Sequence, residues 1–146
     1  MVKLWLFYIL CFIFYSSVSI SQSNNNVILE FSNIRNTTGY IRVGVYKDQL
    51  SFKNETPYFI KSFSKENITD GKISFIITLE TGIYGIAFLD DENENEIMDY
   101  SFFIPLEGYG FSNYIHSGFQ SPDFDDFKFR VSLDNDSNID LFVKYY

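Results

Sequence analysis

Apolar residues recur at every second position through most of this sequence. A period of two is the spacing of one face of a β-strand, whereas the apolar face of a helix recurs every three or four residues. Turn-forming stretches such as NTTG and ETG separate several of the alternating segments. We therefore predict an all-β fold, a single antiparallel β-sandwich of about seven strands with one long functional loop. The alternating segments are NVILEFS, YIRVGVY, YFIKSFS, KISFIITL, IYGIAFL, FKFRVSL and IDLFVKYY.

The fifth segment and the connection after it differ from the rest. IYGIAFL (residues 83–89) is apolar on both faces, which is typical of a central strand. Residues 90–126 then alternate little and are rich in glycine, asparagine and aromatic residues. A connection this long within a compact domain is usually functional or held by its own packing. The sequence therefore places the candidate functional residues in this connection.

Composition narrows the classes of partner. The chain has 146 residues, which suits one domain, and 46% of them are hydrophobic, enough for a packed core. Its formal net charge is −8. Binding of nucleic acid requires clustered lysine and arginine, so the composition disfavours that class of partner. An acidic chain suits cations or simple solubility.

The N-terminus has the pattern of an export signal. Lys3 precedes an unbroken apolar run at residues 4–15, and small residues follow it with cleavage expected after Ser19 or Ser21. The run is too short to span a bilayer, although a retained anchor is the alternative. This divides the chain into a signal peptide (residues 1–21), a flexible lead (22–26) and a sandwich domain (27–146).

Cleavage would also remove Cys11, the sole cysteine. The mature domain would then lack a disulfide, a thiol nucleophile and any cysteine ligand for a metal. We expect the protein to be exported to the periplasm, the cell surface or the medium. Its expected partner is a protein or glycan of the cell envelope, with no stable membrane span after signal cleavage.

The stretch DDENENEIMDY is the clearest candidate for chemistry. Calcium takes six to eight oxygen ligands, and a chain that curls around the ion presents alternate residues to it. Four oxygen-bearing side chains match the first, third, fifth and ninth positions of such a loop. These candidate metal ligands are Asp91, Asn93, Asn95 and Asp99. A Ca²⁺-type ion is the one cofactor this pattern suggests, and it would rigidify the loop.

Two positions depart from a complete calcium loop. The sixth, usually glycine, is Glu96, and the twelfth, usually a bidentate glutamate, is Phe102. Asp90 or Glu107 would have to complete the ligand shell. The alternative is a solvated loop, because aspartate and asparagine favour turns by bonding to nearby backbone.

The segment EGYGFSNYIHSGF carries aromatic residues between glycines. Aromatic rings offer a flat contact area at low entropic cost, so the segment could bind a sugar or another ligand. The candidate ligand-binding residues are Glu107, Tyr109, Phe111 and Asn113. The alternative is that these rings only pack the loop onto one end of the sandwich.

Catalysis has weaker support in the sequence. His116 is the only histidine, which excludes a cluster of histidine metal ligands and leaves one residue for a nucleophile triad. A hydrolase would have to use Asp91, Asp99, Glu107 or His116, with two carboxylates at a suitable separation. No catalytic residue is assigned, and the domain is predicted not to be an enzyme.

Three strings together resemble a known family. TGIYGIAFLDDENENEIMD, IPLEGYGFSN and SPDFDDFKF are similar to the bacterial exported family called domain of unknown function 2141, over residue 27 to the C-terminus. Departures are Asp90 in place of the family's usual histidine, Glu96 in place of glycine, and a missing glycine before Ile104. The resemblance implies a transthyretin-like or immunoglobulin-like sandwich and no established activity.

These observations favour an exported, non-enzymatic β-sandwich that serves as a binding or accessory module. Its ligand is not specified by the sequence, and the acidic loop would be stiffened by a cation. The alternatives are a periplasmic hydrolase that uses the loop carboxylates and a carbohydrate-binding module that uses the loop aromatics.

Overall fold

A computed structural model describes residues 24–118, 120–133 and 136–146. The predicted signal peptide lies outside these residues. The elements are β1 (Asn24–Ser32), β2 (Tyr40–Tyr46), α1 (Gln49–Lys53), β3 (Phe59–Ser64), β4 (Ile73–Glu80), β5 (Gly82–Asp91), β6 (Tyr100–Ser101), β7 (Ile104–Pro105), β8 (Gly108–Phe111), α2 (Phe124–Phe127), β9 (Lys128–Val131) and β10 (Ser137–Phe142). None of the helices within the described residues has the length and apolar character needed to cross a membrane.

The strands form two main sheets, which confirms the predicted all-β sandwich. One sheet has the order β10-β1-β4, and the other has the order β3-β2-β5-β8 with β9 also paired to β5. The seven alternating segments supply β1 to β5, β9 and β10, and the short strands β6, β7 and β8 lie in the long connection. One pairing differs from the antiparallel prediction, because β1 and β10 run parallel. β10 arrives from the other sheet, so no hairpin fixes its direction against β1.

β5 is the central strand that positions the candidate sites. One edge pairs with β2 from Gly85 to Asp91. The other edge pairs with β9 at the start of the strand and with β8 towards its end. Alternate residues such as Ile86 and Phe88 enter the main core, and Ala87 faces the opposite side. This confirms the expectation that its two faces are both covered. The strand ends at Asp91, where the acidic loop begins.

The main core contains the alternating residues of both sheets. Val27, Leu29 and Phe31 of β1 are buried, as are Ile41, Val43 and Val45 of β2. β1 begins at Asn24, so residues 24–26 of the predicted flexible lead belong to a strand. Their backbone pairs with the end of β4, and a backbone ladder forms whether or not the side chains are apolar.

A second, smaller core holds the long connection against the outer face of the second sheet. Phe111, Phe124 and Phe127 are buried there, and Phe52 of α1 packs against them. The Phe52 and Phe127 ring centroids are 4.9 Å apart in an edge-to-face arrangement. Since such aromatic pairs add to the free energy gained by burial, this cluster fixes the connection on the sheet.

Candidate functional site

Asp91 organises the start of the acidic loop. Its carboxylate oxygens accept hydrogen bonds from the backbone N–H of Asn95, at 3.1 Å, and of Glu96, at 2.9 Å. The residue is only 3% exposed. A carboxylate that holds two later N–H groups folds the chain back on itself, so the loop curls around the end of β5.

The other three predicted ligands lie within the same curl. The side-chain amides of Asn93 and Asn95 donate to one oxygen of Asp99, over 2.6 and 3.0 Å. Their amide oxygens accept the backbone N–H groups of Asn95, at 3.1 Å, and Ile97, at 3.0 Å. The structure therefore brings together the side chains of Asn93, Asn95 and Asp99, while the Asp91 carboxylate holds the backbone of the same curl.

Glu96 takes the backbone shape of the residue it replaces. Its φ angle is 67°, in the left-handed region where a calcium loop normally has glycine at the sixth position. An ion pair between the Arg42 guanidinium and the Glu96 carboxylate, at 3.0 Å, anchors the side chain on β2. The sharp turn therefore forms despite the substitution that weakened the sequence pattern.

Glu107 closes the loop from the other side. Its carboxylate accepts the backbone N–H groups of Glu92, at 3.0 Å, and Asp99, at 3.4 Å, and the residue is 4% exposed. Burial raises the pKa of Glu107, and these two hydrogen bonds act in the opposite direction. Among the described residues no group of three or more His, Cys, Asp or Glu side chains has the arrangement of a metal site. An ion in this loop would therefore need asparagine amide oxygens and backbone carbonyl oxygens as ligands, in addition to the carboxylates of the loop.

Asp90 has a different role from the one considered for it. Its carboxylate bonds to the Lys65 ammonium at 2.5 Å and to the Tyr145 hydroxyl, and both the lysine and aspartate side chains are fully buried. Lys65 also donates to the Asn36 amide oxygen at 3.0 Å. Burial raises the pKa of Asp90, while its bonds to Lys65 and Tyr145 lower it. Asp90 is thus the centre of a buried polar network behind the acidic loop.

A bidentate ion pair lies above this network. The Arg35 guanidinium contacts both carboxylate oxygens of Glu92 at 2.6 and 2.7 Å and lies 4.4 Å from the centroid of the Tyr145 ring. The bond to Arg35 holds the pKa of Glu92 below its usual range. Sequence reasoning missed this pair, since no local spacing relates residues 57 positions apart.

A cavity of about 450 Å³ lies between the outer face of β5 and the long connection. Its walls are mainly aromatic and aliphatic. Its lining includes Ala87, Phe88, Met98, Tyr100, Phe103, Ile104, Pro105, Tyr109, Phe111, His116, Pro122 and Tyr146. The sequence indicated the aromatic connection but not this half-open cavity, because the cavity depends on how the connection returns to the sheet.

Two of the four predicted ligand-binding residues line this cavity. They are Tyr109, which is half-buried, and Phe111, which is 8% exposed. Glu107 faces the acidic loop instead. Asn113 is tied to β10, where its amide oxygen accepts the backbone N–H of Asp140 at 2.9 Å. The sequence string thus divides into residues that line the cavity and residues that hold its frame.

Polar residues also line the cavity, among them His116, Gln120 and Ser121. His116 lines the cavity, and its Nδ1 atom is buried without a hydrogen-bond partner among the described residues. The Lys144 ammonium donates to the His116 carbonyl and to the Tyr146 hydroxyl, both at 2.9 Å. The Tyr109 and Tyr146 rings lie nearly parallel, 18° apart with centroids at 6.3 Å. A buried polar atom without a partner is a position where a ligand group gains a hydrogen bond.

Fold and site together define a small β-sandwich whose long connection carries an acidic loop and an aromatic cavity. The sequence model of a family described as an uncharacterized protein conserved in bacteria (DUF2141) matches residues 29–139. The chain belongs to this family, as the three strings suggested. Neither a curated protein nor a solved structure matches it.

Proposed function

We propose that this protein is an exported, non-catalytic binding module that takes a small, mainly apolar ligand in the cavity. The observation that carries the proposal is the cavity itself, about 450 Å³ with aromatic and aliphatic walls. Sites for small molecules typically have volumes of roughly 300–1,000 Å³, mostly apolar walls and a few convergent polar groups. Export is the expectation from the apolar N-terminal run.

The distribution of polar groups defines the class of ligand further. His116 Nδ1, the Tyr109–Tyr146 hydroxyl pair and the side chains of Gln120 and Ser121 are set among mainly apolar walls. The ligand would therefore be a mainly apolar ring or chain that also carries polar groups. Neutral histidine either donates or accepts at Nδ1, so this contact accommodates a hydroxyl or a carbonyl.

Filling the cavity is expected to weaken the binding of an apolar probe. The probe is the neutral fluorophore N-phenyl-1-naphthylamine, titrated against the chain from Gln22, which keeps every described element. The wild type should show saturable binding at one site, and Ala87→Phe should weaken it at least tenfold because the new ring occupies the cavity floor. Far-ultraviolet circular dichroism checks that the variant is folded.

The matched control is Ile76→Phe. Ile76 is 59% exposed on β4 of the other sheet, so a larger side chain there leaves the cavity unchanged. Equal probe binding by wild type and Ala87→Phe would contradict the proposal. Competition by maltose would instead favour the carbohydrate alternative, for which the near-parallel tyrosine rings are the supporting observation. The hydrolase alternative has less support, because His116 lines the cavity while Asp91, Asp99 and Glu107 bond within the acidic loop.

We also propose that a Ca²⁺-type ion stiffens the acidic loop. The support is that Asp91, Asn93, Asn95 and Asp99 occupy one curl and that Glu96 adopts the left-handed turn of a calcium loop. The Asp99 carboxylate would then bind the ion in place of the two asparagine amide groups that now donate to it. This would order the segment that leads directly into the cavity wall at Met98 and Tyr100.

Calcium is expected to raise the unfolding temperature relative to chelator. An ion that binds only the folded state stabilises it by about 2.7 kcal/mol at a hundredfold excess over its dissociation constant. Asp91→Ala should remove the calcium-dependent difference, whatever it does to stability in chelator. Glu66→Ala, which removes an exposed carboxylate outside the loop, should retain the difference. Identical melting curves in millimolar calcium and chelator for the wild type would refute the ion.

A further inference from the structure

A short hairpin projects from the long connection. β6 and β7 pair through Tyr100 with Pro105 and Ser101 with Ile104, and Phe102 and Phe103 form the turn between them. These two residues are 95% and 96% exposed. Both side chains therefore project into solvent from the tip of the hairpin.

The backbone of the same two residues is strained. Phe102 has a φ angle of 47° and Phe103 one of 71°. A two-residue turn with both angles positive normally contains Asn-Gly, because bulky side chains are disfavoured in the left-handed region. The fold thus gains neither burial nor relaxed geometry from phenylalanine here. Strain of this kind that persists at an exposed apolar site points to a role in contact with another surface.

The chemistry of the tip selects the kind of surface. Residues 100–106 (YSFFIPL) carry no charge, whereas the preceding Glu94, Glu96 and Asp99 are acidic and the whole chain has a net charge of −8. A strongly anionic surface would be repelled, whereas zwitterionic lipid head groups offer outer ammonium groups to these carboxylates. The two rings expose roughly 300–500 Å² at 150–250 Å² each, and the exposed side chains of Tyr100, Ile104 and Leu106 extend this uncharged surface behind the tip.

We propose that the Phe102–Phe103 tip inserts into the interface of a zwitterionic lipid bilayer. Exposed aromatic side chains on an uncharged projection are suited to the boundary between head groups and acyl chains. Phe103, Tyr100 and Ile104 also line the cavity, so the inserted hairpin is one of the cavity's walls. Insertion places the cavity beside the acyl chains, and its apolar ligand enters from or leaves to the bilayer. This last step rests on the proposed ligand-binding function, whereas insertion of the tip does not.

Co-sedimentation with phosphatidylcholine vesicles tests the insertion. The chain from Gln22 is used because the apolar run at residues 4–15 would bind lipid by itself. We expect half of the protein to be bound at lipid concentrations on the order of 1 mM. Phe102→Ser should weaken binding about tenfold or more, since each buried ring accounts for at least one order of magnitude. Phe102→Trp should show a blue-shifted emission on the vesicles.

A second variant separates insertion from folding. Replacing the pair by Asn-Gly (Phe102→Asn with Phe103→Gly) suits the turn, so the variant should fold at least as stably and still lose vesicle binding. Wild-type protein that stays unbound, or that binds as well as this variant, would overturn the proposal. Stronger binding to phosphatidylglycerol than to phosphatidylcholine would also overturn it. A concentration-dependent dimer that Phe102→Ser abolishes, without vesicle binding, would assign the tip to a second copy of the chain.

The exchange of ligand is measured independently. Transfer of N-phenyl-1-naphthylamine from vesicles to protein should slow about tenfold in Phe102→Ser, while the affinity for the free probe is unchanged because Phe102 does not line the cavity. Conversely, Ala87→Phe should retain vesicle binding while it loses the probe. Loss of probe binding alone would therefore count against the cavity, and loss of vesicle binding alone against the tip. An unchanged transfer rate in Phe102→Ser would overturn the exchange step.

Discussion

Replacing Lys65 by methionine is expected to lower the free energy of unfolding by about 3–5 kcal/mol. The ammonium of Lys65 and the carboxylate of Asp90 are 2.5 Å apart, and neither side chain is exposed. Removing the cation leaves a buried carboxylate whose remaining side-chain partner, within the part of the chain that the structure describes, is the Tyr145 hydroxyl. Urea unfolding followed by circular dichroism measures the loss.

The double substitution Lys65→Met with Asp90→Asn separates the ion pair from packing. Once both charges are gone, no unpaired ion remains, so the double variant should lose less stability than the sum of the two single variants. Lys72→Met, on an exposed side chain, is the matched control and should change stability by less than about 0.5 kcal/mol. A loss below about 1 kcal/mol for Lys65→Met would show that the buried pair contributes little to the fold.

Gly39→Ala is expected to destabilise the protein by about 2–4 kcal/mol, from left-handed strain combined with overpacking. Gly39 has a φ angle of 76°, and a Cβ atom there would lie 2.0 Å from the backbone oxygen of Asp91. The neighbour is main chain at the start of the acidic loop, so it cannot rotate away as a side chain could. Thermal unfolding in chelator measures this loss.

Gly44→Ala, on the strand β2 that directly follows Gly39, is the control. A Cβ at Gly44 meets only the flexible side chain of Tyr46, at 3.2 Å. We expect a much smaller effect there. If the acidic loop binds calcium, Gly39→Ala should also reduce the calcium-dependent rise in unfolding temperature, because it displaces Asp91. Equal stability of the two glycine variants would contradict the close approach of Gly39 to the start of the acidic loop.

The strands could be predicted because their signal is local. Alternation along β1 and β2 identified the buried face residue by residue, since a half-buried strand repeats every two positions. The same reasoning failed at Leu133, which extends the alternation of β9 but is 59% exposed. β9 ends at Val131, so Leu133 lies beyond the paired residues and its side chain does not continue the buried face of the strand. A period identifies a face but not the residue at which the pairing stops.

The acidic loop was predictable for a similar reason, and the rest of the site was not. Asp91 and Asp99 are close in sequence, and their spacing alone indicates a curl. By contrast, Lys65 joins Asp90 across 25 residues, and a lysine at the end of an ordinary strand gives no sign of burial. The strain at Phe102 and Phe103 also depends on which residues of β6 and β7 pair, because that pairing makes these two residues the turn. The sequence pattern does not indicate this pairing.

The shared edge of β5 has a consequence for how this fold can change over time. β8 pairs with that edge and ends at Phe111, and β9 pairs with the same edge and begins at Lys128. The residues between them therefore form a loop that starts and ends at one strand edge. Insertions or deletions between them alter neither ladder's register. His116 and Pro122, which line the cavity, are within this stretch. Descendants of one ancestral chain can therefore differ in the lining of this cavity while the sandwich that carries it stays the same.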